Sequence, residues 1–169
     1  LYPMSPLYNT IATELAGKVV YLTFVVPIAL LLALWLKPDF NVTAVSILTF
    51  IPALAMAWLL RFLWGYWLAL LAFWVTRADA LLSLQDALIF LLGGQVAPTT
   101  LLSGGLELAA TVLPFRYMAA FPAEVLTSTL DSTQLAVGFI MQGFWLLVAV
   151  ALYQLLWRRG IREYTAVGG

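Results

Sequence analysis

Apolar residues run along this chain in long blocks, and the short polar or Gly/Pro-rich breaks between them define its elements. Crossing a hydrocarbon core of roughly 30 Å takes about 20 helical residues. The first block of that length is 19–36, bracketed by Lys18 and by Lys37-Pro38-Asp39. The second covers 43–75, about 50 Å of helix. No turn residue interrupts its "LLRFLW" centre, so the pattern predicts one long helix, tilted or partly interfacial, with a bend at Pro52 rather than a hairpin. A third block, 80–102, is interrupted by Gly93-Gly94 and Pro98. The stretch 101–122 is apolar but carries Gly104-Gly105, Glu107, Pro114, Arg116 and Pro122. It reads as a broken, re-entrant or surface-lying pair of short helices, because interrupted helix at membrane depth survives only where protein or a wet cavity satisfies its backbone. The last block is 133–157. It is preceded by Asp131 as N-cap and Gln134 three positions on, an Asp version of the capping box.

The first 17 residues form no span. Ser5-Pro6 reads as N-cap and first helical position, and Leu7, Ile11 and Leu15 recur every four residues among Asn9, Thr10, Thr13 and Glu14. That predicts a short amphipathic helix over 1–17, either lying on lipid or docking a cytosolic partner. The fold class expected is therefore an all-α integral membrane protein: about four transmembrane helices, an N-terminal amphipathic helix and a broken outer segment. The transmembrane part spans 18–157 and a basic tail covers 158–169. With a cytoplasmic C-terminus, Lys18, Arg77, Arg158, Arg159 and Arg162 all fall inside, whereas Lys37 and Arg116 fall outside. That distribution obeys the positive-inside rule and its inverse does not. Trp157, Arg158, Arg159 and Arg162 then anchor the final helix at the inner interface, with Gly160 letting it end.

Composition makes the membrane reading firm. The chain is 64% hydrophobic and 9% charged, against about a quarter charged in ordinary soluble domains. Eight basic and eight acidic residues cancel, so no general attraction to nucleic acid follows. With neither Cys nor His, disulfides, thiol chemistry and the usual zinc sites are excluded. There is no nucleophile elbow, H-E-x-x-H, P-loop or G-x-G-x-x-G, so neither catalytic residues nor a cofactor or metal site is expected. The glycosylation triplet Asn41-Val42-Thr43 hugs a span end and is set aside.

Arg61 is the one cation inside a span. It either snorkels to the cytoplasmic surface among Trp64, Trp67 and Trp74 or faces the protein interior. Asp86, Glu107, Glu124 and Asp131 lie in or near the membrane and read as ion-paired or solvated, with Glu107 and Arg116 the expected pair across the broken segment. Gln142 and Gln154, with Gly138 and Gly143, read as helix packing.

The stretches "SPLYNTIATELAG", "LLAFW", "FLLGGQVAPTTLL", "LPFRYMAAFPAEVL" and above all "LLWRRGIREYTAVGG" resemble the membrane subunits of ATP-binding-cassette (ABC) exporters of the second type, in particular a bacterial branch whose permeases commonly end in a similar Trp-Arg-Arg-Gly, Arg-x-Tyr, Gly-Gly pattern. The likeness covers the chain but only the last four of the family's usual six spans. Together with the non-methionine start at Leu1, the resemblance leads to the expectation that the family's first two spans precede Leu1, the alternative being a genuinely shortened relative. The resemblance also implies a permease in the bacterial inner membrane, paired with a second permease as homo- or heterodimer. A separate cytosolic ATPase would hold MgATP. It makes the N-terminal helix a coupling element docking that ATPase through Leu7, Tyr8, Ile11 and Glu14. Gly93, Gly94, Pro98, Glu107, Pro114 and Arg116 would lie in an outer gate. The substrate stays open. The alternative from a different class is a non-transporting structural subunit of a larger membrane complex.

Overall fold

The structure, a computed structural model, describes residues 6–36, 42–71, 74–75, 78–95 and 104–167. All of its regular elements are helices, and the described residues contain no strand. The chain divides into two units, 1–40 and 41–169. The first holds a single helix, α1 (Pro6–Leu36). The expected amphipathic segment and first span are thus one unbroken rod of 31 residues. Gly17 and Lys18 carry no turn signal strong enough to stop it, and the interior Pro27 leaves it continuous.

The second unit contains α2 (Ala44–Leu70), α3 (Ala78–Leu92), α4 (Gly105–Val112), α5 (Phe115–Met118), α6 (Ala120–Leu126) and α7 (Ser132–Val167). The second apolar block is one helix, as its missing turn residues require, and Pro52 sits inside it. It starts where Thr43 and Ser46 cap each other reciprocally, so the Thr43 hydroxyl serves as N-cap. α7 starts on the Asp131–Gln134 box: the Gln134 amide N–H donates to Asp131 Oδ1 at 2.7 Å, and the Asp131 N–H to Gln134 Oε1 at 3.1 Å.

Two expected boundaries move. The third block, expected over 80–102, ends as helix at Leu92, giving 15 residues or about 22 Å. Gly93-Gly94 stops it, with Gly94 in the left-handed region (φ 76°) that a helix C-terminus uses. Among the described residues, three helices are long and apolar enough to cross a membrane, and α3 is a shorter apolar one. At the other end, Gly160 does not terminate α7. It is buried within the helix, which runs on through the basic residues to Val167 for 36 residues in all, because nothing there competes for the backbone.

α2 and α7 form the centre of the unit. Ala53 meets Gln142, Trp64 meets Trp145 and Tyr66 meets Tyr153, so their numbering rises together and they run parallel. Small residues face the contact: Ala53 and Ala57 on α2, Gly143 and Ala149 on α7. Close backbone approach of this kind replaces the hydrophobic drive that helices lack in lipid. α3 runs antiparallel to α2, since Arg61 meets Asp86 while Gly65 faces Leu82 and Gln85. α5 and α6 gather at the end where α2 and α7 begin.

Candidate functional site

The broken segment α4–α6 is shaped by its prolines. Leu113 precedes Pro114 and is extended (φ −75°, ψ 159°), which ends α4 at Val112. Pro114 itself is buried and starts the single turn α5. A second break at Ala119 (φ −136°, ψ −65°) starts α6. Pro122 falls in the first turn of α6, where its missing N–H costs nothing. Each break leaves carbonyls without helical donors, which lipid cannot supply.

Side chains supply them. The Tyr117 hydroxyl donates to the Thr111 carbonyl at 2.7 Å, and the Trp145 indole N–H donates to the Val112 carbonyl at 2.9 Å. The Gln142 amide donates from Nε2 to the Tyr117 carbonyl at 3.1 Å and to the Ala53 carbonyl of α2 at 2.9 Å. Gln142 is 0% exposed, and its Oε1 has no partner among the described residues. One side chain thereby ties α5, α2 and α7 together.

Gln142 and Trp145 share a face of α7 with Gly138, at helical spacings of four and three. Gly138 is the seat of Phe121. A Cβ there would collide with the Phe121 ring, which is 1% exposed and packs edge-on against Phe139 at 5.3 Å between centroids. The strip 138–142–145 therefore takes a ring from α6, a carbonyl from α5 and a carbonyl from α4. Gly93 adds a contact from α3, with the Phe115 carbonyl oxygen 3.1 Å from where its Cβ would stand. Trp145→Phe keeps the ring packing and removes the donor to Val112. It is expected to cost about 1 kcal/mol in the unfolding free energy, the net worth of such a bond, measured by thermal or denaturant unfolding in mild detergent.

Of the residues expected at a gate, Gly93, Pro114 and Arg116 come together here, and Gly94 closes α3 beside them. Arg116 does not pair with Glu107. Its guanidinium meets Glu124 Oε2 at 2.8 Å from Nη2, both side chains about one-fifth exposed. The bends at Leu113 and Ala119 fold α5 against α6, so the cation faces the acid eight residues on. Glu107 lies exposed in the first turn of α4, where the positive end of the helix dipole suits it.

Arg61 is paired as well. Its Nη2 lies 3.1 Å from Asp86 Oδ1 on α3. Trp64 and Trp67 stack edge-on at 5.4 Å, and Trp64 also meets Trp145 at 5.7 Å, so Trp64 joins the packing instead of standing in a belt around the cation. Trp157 lies half-buried against Tyr153, and Arg158 and Arg159 are exposed on the continuing helix. On α1, Tyr8 and Glu14 are exposed and Ile11 half-buried, and Glu14 reaches Lys18 one turn on at 3.8 Å. Lys37, Arg77 and Pro98 lie outside the described residues, as do the side chains of Leu7 and Arg162.

The sequence reading missed Gln142 and Gln85 as working groups. The available signal was an amide standing alone in an apolar helix face. Among the described residues no cluster of acidic, His or Cys side chains is arranged to hold a metal ion.

Comparison with known proteins agrees with the architecture. A family model described as "ABC-2 family transporter protein" matches residues 1–168. No curated protein and no solved structure matches the chain. An all-helical membrane chain with a proline-broken segment clamped onto its last long helix, matched along its length by that model, belongs to the ABC-2 family of transporter membrane proteins.

Proposed function

We propose that this chain is the permease subunit of an ATP-driven exporter, forming the translocation pathway with a second permease copy and powered by a cytosolic ATPase that carries MgATP. The family match over residues 1–168 carries this reading. The chain holds no P-loop, so nucleotide chemistry falls to the partner.

In this reading the C-terminal end of α7 is cytoplasmic and the clamped segment α4–α6 lies on the outer side as a gate. The cluster Arg158, Arg159 and Arg162 at the far end from that segment supports the orientation, since cytoplasmic ends carry the excess of basic residues. The start of α1 then also lies at the cytoplasmic face. There Tyr8 and Ile11, three residues apart on one helix face, present an apolar edge beside Glu14 for docking the ATPase.

Replacing Ile11 by aspartate is expected to abolish co-purification of the ATPase while membrane insertion is unchanged, because a charge would enter an apolar docking groove. The test is a gentle-detergent pull-down through the C-terminus, with mass spectrometry of the intact subunits. Recovery of an ATPase from the wild-type chain, lost in the variant, supports both exporter and docking helix. An ATPase retained by the variant counts against the docking assignment. A wild-type chain bound only to cofactor-bearing membrane subunits would replace the transport reading with a scaffolding one.

A further inference from the structure

The ion pair between α2 and α3 is unusual in its setting. Arg61 belongs to a membrane-spanning helix about 14 Å short of its C-terminal end, flanked by the fully buried Leu60 and by Phe62. Yet its side chain is 47% exposed and that of Asp86 is 63% exposed. A charge facing hydrocarbon is costly, and such residues ordinarily face protein or a wet cavity. The pairing is also incomplete. Arg61 spends one N–H on Asp86 Oδ1, while a guanidinium has five. Asp86 Oδ2 accepts nothing among the described residues.

A second, independent observation lies beside it. Gln85 is 7% exposed, and its Oε1 has no donor among the described residues. Its amide rests on Gly65, both amide atoms 3.7 Å from where a Cβ would stand, one helical turn beyond Arg61. A Cβ at Gly65 would stand in ordinary van der Waals contact with that amide, so glycine leaves the amide room to turn. Donors without acceptors thus stand on α2, and acceptors without donors on α3. What satisfies both is one small group carrying an anion next to a cation that still has N–H bonds.

We infer that the α2–α3 notch of Arg61, Gly65, Gln85 and Asp86 binds a phosphoethanolamine-type headgroup. The phosphate lies on the Arg61 guanidinium, which recognises it through several N–H groups at once. The primary ammonium is shared by Asp86 Oδ2 and, after rotation of the amide, Gln85 Oε1. A choline headgroup has the same charges but no N–H, so it leaves Gln85 unsatisfied. A glycerol headgroup lacks the cation that Asp86 needs. The inference requires only the membrane setting, and is independent of the direction of transport.

The test is native mass spectrometry of the permease in the assembly extracted with mild detergent, titrated separately with dioleoyl phosphatidylethanolamine, phosphatidylcholine and phosphatidylglycerol. Phosphatidylethanolamine is expected to bind several-fold more tightly than the other two. Arg61→Gln and Asp86→Asn are each expected to weaken it about tenfold, the scale of one charge-assisted contact. Gln85→Leu separates this role from a structural one. Removing a buried acceptor without a donor leaves thermal stability equal or higher, while the preference for ethanolamine over choline falls. Equal binding of the ethanolamine and choline lipids by the wild-type chain, or a preference unchanged in Gln85→Leu, would overturn the inference. Free phosphoethanolamine then distinguishes the source of the ligand. Competition with bound lipid means that the notch opens to water, and retention of the lipid against it means that the headgroup arrives from the bilayer; either result upholds the headgroup site.

Discussion

Phe121→Ala is expected to lower the unfolding free energy by about 3–5 kcal/mol, the cost of emptying a closed aromatic site. The ring is almost wholly buried, sits on Gly138 of α7, and meets Tyr117 at 6.0 Å and Phe139 at 5.3 Å between centroids. Tyr117, tied by its hydroxyl to the Thr111 carbonyl, and the α7 backbone at Gly138 cannot easily collapse into the gap. The reciprocal change, Gly138→Leu, is expected to cost about 1–3 kcal/mol through overpacking, partly offset by the helix propensity gained on losing glycine. The two changes exchange volume across one contact. The double variant should therefore be more stable than the sum of the single effects predicts, by about 0.5–3 kcal/mol. Unfolding in mild detergent, followed by tryptophan fluorescence, measures all three. Strict additivity would mean that ring and glycine do not form the seat described.

Gln142→Glu is expected to be the more severe test of the clamp. The amide offers two N–H bonds to two carbonyls, whereas a carboxylate offers none and would be buried as a charge against oxygen atoms. The variant is therefore expected to lose about 3 kcal/mol or more of unfolding free energy, the penalty for a buried group stripped of its partners. Gln142→Leu, which carries no charge, is expected to lose only about 0.6–1.7 kcal/mol, the scale measured for hydrogen bonds between membrane helices. Unfolding in mild detergent measures both, and equal losses would mean that the site is wet or that the glutamate side chain turns out of it.

The all-helical membrane character was legible from block length alone, and so were features governed by a few adjacent residues. The Asp131–Gln134 box, the single long α2 and the breaks at Pro114 and Gly93-Gly94 all depend on local chemistry that a linear reading captures. The pairings were not legible. Arg116 is nine residues from Glu107 and eight from Glu124, and only the dihedrals of Leu113 and Ala119 decide which acid it meets. Arg61 stands out as the one cation inside a span and Asp86 reads as ion-paired or solvated, but their meeting depends on how α3 leans on Gly65. Gln142 was read as packing because its partners are backbone carbonyls. A carbonyl orphaned by a distant bend has no signature in the identity of the residue that bears it.

The length of α7 has a mechanical consequence. Thirty-six residues make a rod of about 54 Å, longer than the roughly 40–45 Å of a whole bilayer with its headgroups. Near its start the rod is gripped at Gly138, Gln142 and Trp145, and about 38 Å of it runs on beyond Gln142, more than the roughly 30 Å of a hydrocarbon core. It acts as a lever arm with its fulcrum at the clamped segment. A tilt of about 5° at the grip sweeps the far end, roughly 38 Å beyond Gln142, through about 3 Å. The same geometry in reverse turns a displacement of several ångströms outside the bilayer into a small, forceful rotation of α5 and α6.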